Sequence, residues 1–150
     1  MSELKDRLQS DLTGAMRGRD ELTTATLRMV LAAVTTEEVA GSTARELSDD
    51  DVLKVLAREA KKRREAAEAF SGAGRTELAE REQAEGTVLE RYLPRQLDDA
   101  AIAALVTEAI AATGATGMPQ MGAVMKVAQG KAAGRADGKR LSAEVRRQLG

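Results

Sequence analysis

Leu4, Leu8, Leu12 and Met16 recur every four residues, which places them on one face of a helix predicted over residues 2–18, with Ser2 as its cap and Gly18 as its end. A second helix is predicted to start after Asp20 and run to about Ala40. Leu22, Met29 and Ala33 stand beside Leu27, Val30, Leu31 and Val34, an apolar surface wide enough for burial on more than one side. Gly41 and Ser42 open a polar loop. Ser48-Asp49-Asp50-Asp51 resembles a capping box with Asp at its last position, and its three acids suit the positive end of a helix dipole. Val52, Val55, Leu56 and Ala60 follow at helical spacing. The pattern runs through a basic stretch to Phe70 and stops at Ser71-Gly72-Ala73-Gly74.

The fourth helix is predicted over Thr76 to Tyr92, with Leu78, Ala84, Val88 and Leu89 toward the core. Gly86 weakens its middle by roughly 1 kcal/mol relative to alanine. Pro94 closes it, because the residue before proline avoids helical geometry. This punctuation divides the chain into an N-terminal bundle of about four helices, residues 1–94, and a small three-helix module, residues 95–150. In that module Asp98 or Asp99 caps a helix carrying Ile102, Leu105, Val106, Ala109 and Ile110. Met118, Met121, Val124 and Met125 mark the next helix, where methionine is adaptable core filling rather than a cofactor box. Gly130 and Gly134 frame a loop, and Asp137 caps a last helix with Leu141, Val145 and Leu149. No segment alternates with period two, so the predicted class is all-α.

Composition narrows the chemistry. With 43% apolar and 31% charged residues the chain is globular. Phe70 and Tyr92 are its only aromatics, so the core is aliphatic and alanine-rich, which suits closely packed helices. Cysteine and histidine are both missing, which removes thiolate and imidazole ligands, the commonest general base, and Ser-His or Cys-His pairs. The serines sit at predicted caps and loops, Ser2 of Ser2-Glu-Leu-Lys5 among them, and no Walker loop or dinucleotide fingerprint occurs. We therefore predict no catalytic residue, cofactor or metal. No run approaches 18 apolar residues and no apolar signal core is seen at the start, so a cytoplasmic protein without membrane contact is expected. Glu82 and Glu85 share a helical face and have two readings, a hard-cation or acid–base pair and an ion-paired surface; the spacing of Glu77, Arg81 and Glu85 favours the second.

Charge adds an asymmetry. Residues 1–93 hold 15 basic and 19 acidic side chains, a balance of −4, whereas residues 94–150 hold 8 and 5, a balance of +3. Two basic surfaces are candidate RNA contacts. One is Arg58, Lys61, Lys62, Arg63 and Arg64, which wraps the third helix and is blunted by Glu59, Glu65 and Glu68. The other is Lys131, Arg135, Lys139, Arg140, Arg146 and Arg147 in the C-terminal module. There Gly134–Lys139 reads either as a phosphate site at a helix N-terminus or as a glycine turn with an Asp cap. With so few aromatics, single-stranded RNA is not read by base stacking, while the backbone and shape of a folded RNA remain readable.

Several segments in order resemble the GatB/YqeY family: Arg58-Glu-Ala-Lys-Lys-Arg-Arg-Glu65 leading to Phe70, Ala73-Gly-Arg-Thr-Glu-Leu78, Glu82-Gln-Ala-Glu85 through Tyr92-Leu-Pro-Arg-Gln-Leu97, Met121-Gly-Ala-Val-Met125 and Gly134-Arg-Ala-Asp-Gly-Lys139. The resemblance covers nearly the whole chain and is to a stand-alone member. Gly86 departs from it, since a larger aliphatic is favoured there. The resemblance implies a helical bundle followed by a three-helix tail like that of the B subunit of the glutamine-dependent transfer RNA amidotransferase. In that enzyme the tail engages transfer RNA, while phosphorylation and amide transfer lie elsewhere. The expectation is a non-catalytic accessory that binds transfer RNA. The alternatives are a protein–protein adaptor docking on an aminoacyl-tRNA synthetase or amidotransferase subunit, and an amidotransferase component (a carbon–nitrogen ligase with glutamine as amide donor) active only in a complex.

Overall fold

The computed structural model describes residues 2–150 and is all-helical, with no strand among those residues. The chain forms two compact units, Met1–Leu93 and Pro94–Gly150. The first contains α1 (Glu3–Arg17), α2 (Glu21–Glu38), α3 (Asp49–Gly72) and α4 (Thr76–Glu90); the second contains α5 (Asp99–Thr113), a 3-10 turn (Met118–Gln120), α6 (Met121–Ala132) and α7 (Gly138–Leu149). No single described helix is long and apolar enough to cross a membrane.

Short polar side chains start five of these helices. Ser2, Asp20, Ser48, Asp98 and Asp137 accept from the amides of Lys5, Thr23, Asp51, Ala101 and Arg140. The capping box expected at α3 is not reciprocal: the Asp51 carboxylate accepts from Arg45 Nη1 at 3.3 Å instead of turning back to the Ser48 amide. Asp49 looks outward too, accepting from the Ser2 hydroxyl and the Leu4 amide, so the acidic start of α3 also caps α1. Those two donors hold the Asp49 carboxyl below the usual carboxylate range. Glu38 anchors the loop after α2 in the same way. It accepts from Lys5 Nζ at 2.9 and 3.0 Å and from the Leu47 amide at 3.4 Å, and Leu47 drops into the core.

The core of the first unit comprises Leu8, Leu27, Val30, Val34, Leu47, Val52, Val55, Leu56, Ala60, Val88, Leu89 and Tyr92, with Leu4, Leu12, Leu22 and Leu31 at its margin. Two expected core residues lie outside it. Met16, in the last turn of α1, is 50% exposed, and Leu78 is 40% exposed. Leu78 has the right helical phase, but it sits where the α3–α4 hairpin has run past the ends of the core. Ala79 is buried in its place, and Ala84 is only half-buried. Gly86 is buried too, and a methyl group there would meet Arg63 Cβ at an ordinary 3.7 Å. Close approach of α3 and α4 therefore does not require glycine at this position.

In the second unit Ile102, Val106, Ala109, Val124, Ala128, Ala132, Leu141 and Val145 form the core, with Met121, Met125 and Leu149 against it. Gly130 lies inside α6, so the expected loop is shorter: it begins at Ala133, with left-handed φ of 50° there and 79° at Gly134.

Tyr92, the only tyrosine, closes the first unit. Its hydroxyl donates to Asp11 Oδ2 at 2.6 Å, and the Arg7 guanidinium lies over its ring at 4.7 Å. Burial, followed by the Asp11 carboxylate, pushes its pKa up to about 12. A raised folded-state value means that the stabilisation is complete below the ordinary tyrosine pKa of about 10 and is lost as pH rises toward 12. Absorbance of tyrosinate should titrate near 12 in the folded protein and near 10 in urea. Tyr92→Phe should remove this share of the alkaline loss of stability; identical alkaline slopes in parent and variant would contradict it.

Candidate nucleic-acid interface

The two basic surfaces differ in what their cations already hold. On α3, Arg58 pairs with Glu37 at 3.5 Å, Lys61 with Glu65 at 4.0 Å and Lys62 with Glu59 at 3.9 Å. Arg64 is exposed but engaged as well. Arg63 is not on the open face at all. Its side chain turns toward α4 and sits 3.6 Å from Glu59, 3.6 Å from Glu82 and 3.5 Å from Glu85. A phosphate approaching this surface would meet exposed Glu37 and Glu65 beside Arg58 and Lys61. The surface is therefore close to neutral, although each exposed pair contributes little stability.

The same geometry decides between the two readings of Glu82 and Glu85. The Arg63 guanidinium lies between them, and Arg81 Nε adds a contact to Glu85 at 3.4 Å. They form an ion-paired helix interface rather than a cation or acid–base site. Among the described residues no group of three or more acidic side chains is arranged to hold a metal ion.

In the second unit the candidates separate into structural and uncommitted groups. Arg140 is structural: Nη1 donates to the Leu97 carbonyl at 2.9 Å and Nη2 to Asp99 Oδ1 at 2.8 Å. Arg147 donates through Nε to both oxygens of Glu144, at 2.7 and 2.9 Å, which holds the Glu144 carboxyl below its usual range. Lys131 pairs with Glu108 at 3.6 Å. The N-terminus of α7 is filled by the chain itself, since Asp137 Oδ1 accepts from the Arg140 amide at 2.8 Å. Gly134–Lys139 is therefore a left-handed turn followed by a cap, not an open phosphate cradle.

That turn also binds the segment leading into α5. Leu97 N donates to Arg135 O at 2.8 Å, Gln96 Nε2 to Gly134 O at 3.5 Å, and Arg135 Nε to Arg95 O at 3.3 Å. Two segments almost 40 residues apart in the chain are joined by backbone-directed bonds.

Lys139 and Arg146 are left. Both are exposed, and neither forms an ion pair among the described residues. Seven residues apart, they share one face of α7 at a separation of roughly 10 Å along its axis. Exposed Ala143 lies between them and keeps the face low. Arg135 has no carboxylate partner either. Sequence reasoning missed Lys126 and Arg95, which are exposed in this unit without ion pairs. The basic balance of the C-terminal residues was the available signal, but the methionines around Lys126 drew attention to packing.

A sequence model of the family described as Yqey-like protein matches residues 5–149. The chain is also 33% identical over 88 residues to the uncharacterized protein C22F3.15 of Schizosaccharomyces pombe, a match that covers 58% of this chain and 69% of that protein.

The division between structural and uncommitted cations is measurable. Arg140→Ala should cost about 1–2 kcal/mol in urea unfolding followed by circular dichroism, because it removes two charge-assisted bonds. Lys139→Ala should stay within about 0.5 kcal/mol of the parent. Equal losses would mean that Lys139 is as structural as Arg140.

Proposed function

The chain belongs to the family of YqeY-like proteins, and from that premise we propose that it is a non-catalytic module that engages transfer RNA through its C-terminal unit. In this role it is an accessory to the proteins that handle that RNA. The observation that carries the reading is the contrast between the two basic surfaces. On α3, Arg58, Lys61, Lys62 and Arg63 pair with carboxylates of their own unit and Arg64 is engaged too, whereas Lys139 and Arg146 stand on one exposed face of α7 without carboxylate partners among the described residues. Uncommitted cations contribute most to binding a polyanion, because each phosphate contact releases condensed counterions without breaking an internal pair.

The mode of recognition follows from what else the surface offers. Tyr92 is buried and Phe70 half-buried, so no fully exposed aromatic ring is present for base stacking. Contacts to the phosphate backbone of a folded RNA fit this surface, with little dependence on base sequence.

Titration of transfer RNA at several salt concentrations tests the proposal. The parent should bind weakly, with affinity falling as salt rises. Lys139→Ala/Arg146→Ala should flatten the slope of log affinity against log salt by up to about two units, close to one per lost phosphate contact. Lys61→Ala/Lys62→Ala should leave the slope nearly unchanged. A parent without salt dependence would reject RNA binding in favour of a protein–protein adaptor. A slope lost only in the α3 variant would move the site to the first unit.

A further inference from the structure

The buried cluster of the first unit takes Val52, Val55, Leu56 and Ala60 from α3 and Val88 and Leu89 from α4, and ends there. The hairpin does not end there. Across residues 64–84 the buried side chains are Ala67 and Ala79, with Phe70 half-buried and Leu78 exposed. Two alanines remove little apolar surface from water, while every residue of the arm is still ordered. The start of α4 is also weak, because Arg75 supplies no side-chain bond to its first amides.

At the junction between core and arm lies the Arg63 cluster. Glu59 is on the same helix as Arg63; Glu82 and Glu85 are on the other. Glu59 Oε2, Arg63 Nε and Glu82 Oε2 are buried without a hydrogen-bond partner among the described residues. The helices are thus tied at this level by ion pairs of 3.5–3.6 Å rather than by directional hydrogen bonds. Lys62 and Arg81 approach the outer oxygens from the exposed side.

We infer that the Arg63 cluster is a latch, and that residues 64–84 open as one arm while the core below stays folded. Opening breaks the Arg63 pair with Glu82, keeps the pairs with Glu59 and Glu85 at the base of the arm, and bares Ala67, Ala79 and the covered side of Phe70. The arm belongs to the low-stability end of the molecule, where few buried contacts oppose local unfolding.

Native-state hydrogen exchange read by mass spectrometry tests this on the full chain. In the parent, amides of residues 64–84 should exchange at least about tenfold faster than those of residues 52–60 and 86–90, with a smaller dependence on urea than global unfolding. Arg63→Met should raise exchange in the arm by about a hundredfold or more, because three carboxylates are left facing one another. The triple variant Arg63→Met/Glu82→Gln/Glu85→Gln should bring protection of the arm back toward the parent. An arm as protected as the core in the parent would overturn the inference, and that measurement stands even if Arg63→Met fails to fold. Equal acceleration of arm and core in Arg63→Met, or no recovery in the triple variant, would also overturn it.

Discussion

Arg63 holds α3 to α4 by charge, through Glu82 and Glu85, and the hairpin depends on that arrangement. Past the aliphatic core, the α3–α4 interface has no large fully buried side chain among the described residues. The chain brings the helices together over Ala67, Ala79 and Gly86 and sets one guanidinium among three carboxylates where the aliphatic core runs out. Removing one member would leave the others buried and uncompensated, so the cluster holds the hairpin in register even if its net stabilisation is small. The same arrangement takes Arg63 off the surface, and its carboxylates quiet the cations beside it. In the stretch that looks most like an RNA-binding surface in the sequence, Arg63 is committed to the helix interface while Arg58, Lys61 and Lys62 are ion-paired at the surface.

A similar division runs through the second unit. Gly134, Arg135, Asp137 and Arg140 form a turn, a cap and a clamp on the segment that leads into α5. Their spacing serves the fold, since each bonds to the backbone or to a neighbouring side chain. Lys139 and Arg146 project from the scaffold so built and form no ion pair among the described residues. Most residues of the resemblance segment in this unit therefore position the helix; of the two proposed contacts to RNA, Lys139 lies within that segment and Arg146 beyond it.

What the sequence made legible was local. Helix starts were readable because Ser2, Asp20, Ser48, Asp98 and Asp137 bond to amides three residues on, within their own turn. The all-helical class followed from spacing alone. What escaped depends on neighbours distant in the chain. Leu78 has the phase of a core residue but no core beside it, Asp51 turns to Arg45 rather than to its own helix, and Gly130 stays inside α6 because the following residues make the turn. Arg63 and Arg64 are adjacent in a run of cations, and only the position of α4 separates an internal ion pair from a surface charge. The paired acids Glu82 and Glu85 needed the same information.

In the proposed role, the paired cations of α3 leave RNA to the uncommitted cations of α7. Titration of the isotope-labelled protein with transfer RNA, followed by amide chemical shifts, addresses it directly. The largest changes should fall on residues 138–147, around Lys139 and Arg146, with residues 58–64 close to their free positions. Changes concentrated on residues 58–64, with α7 unmoved, would contradict it.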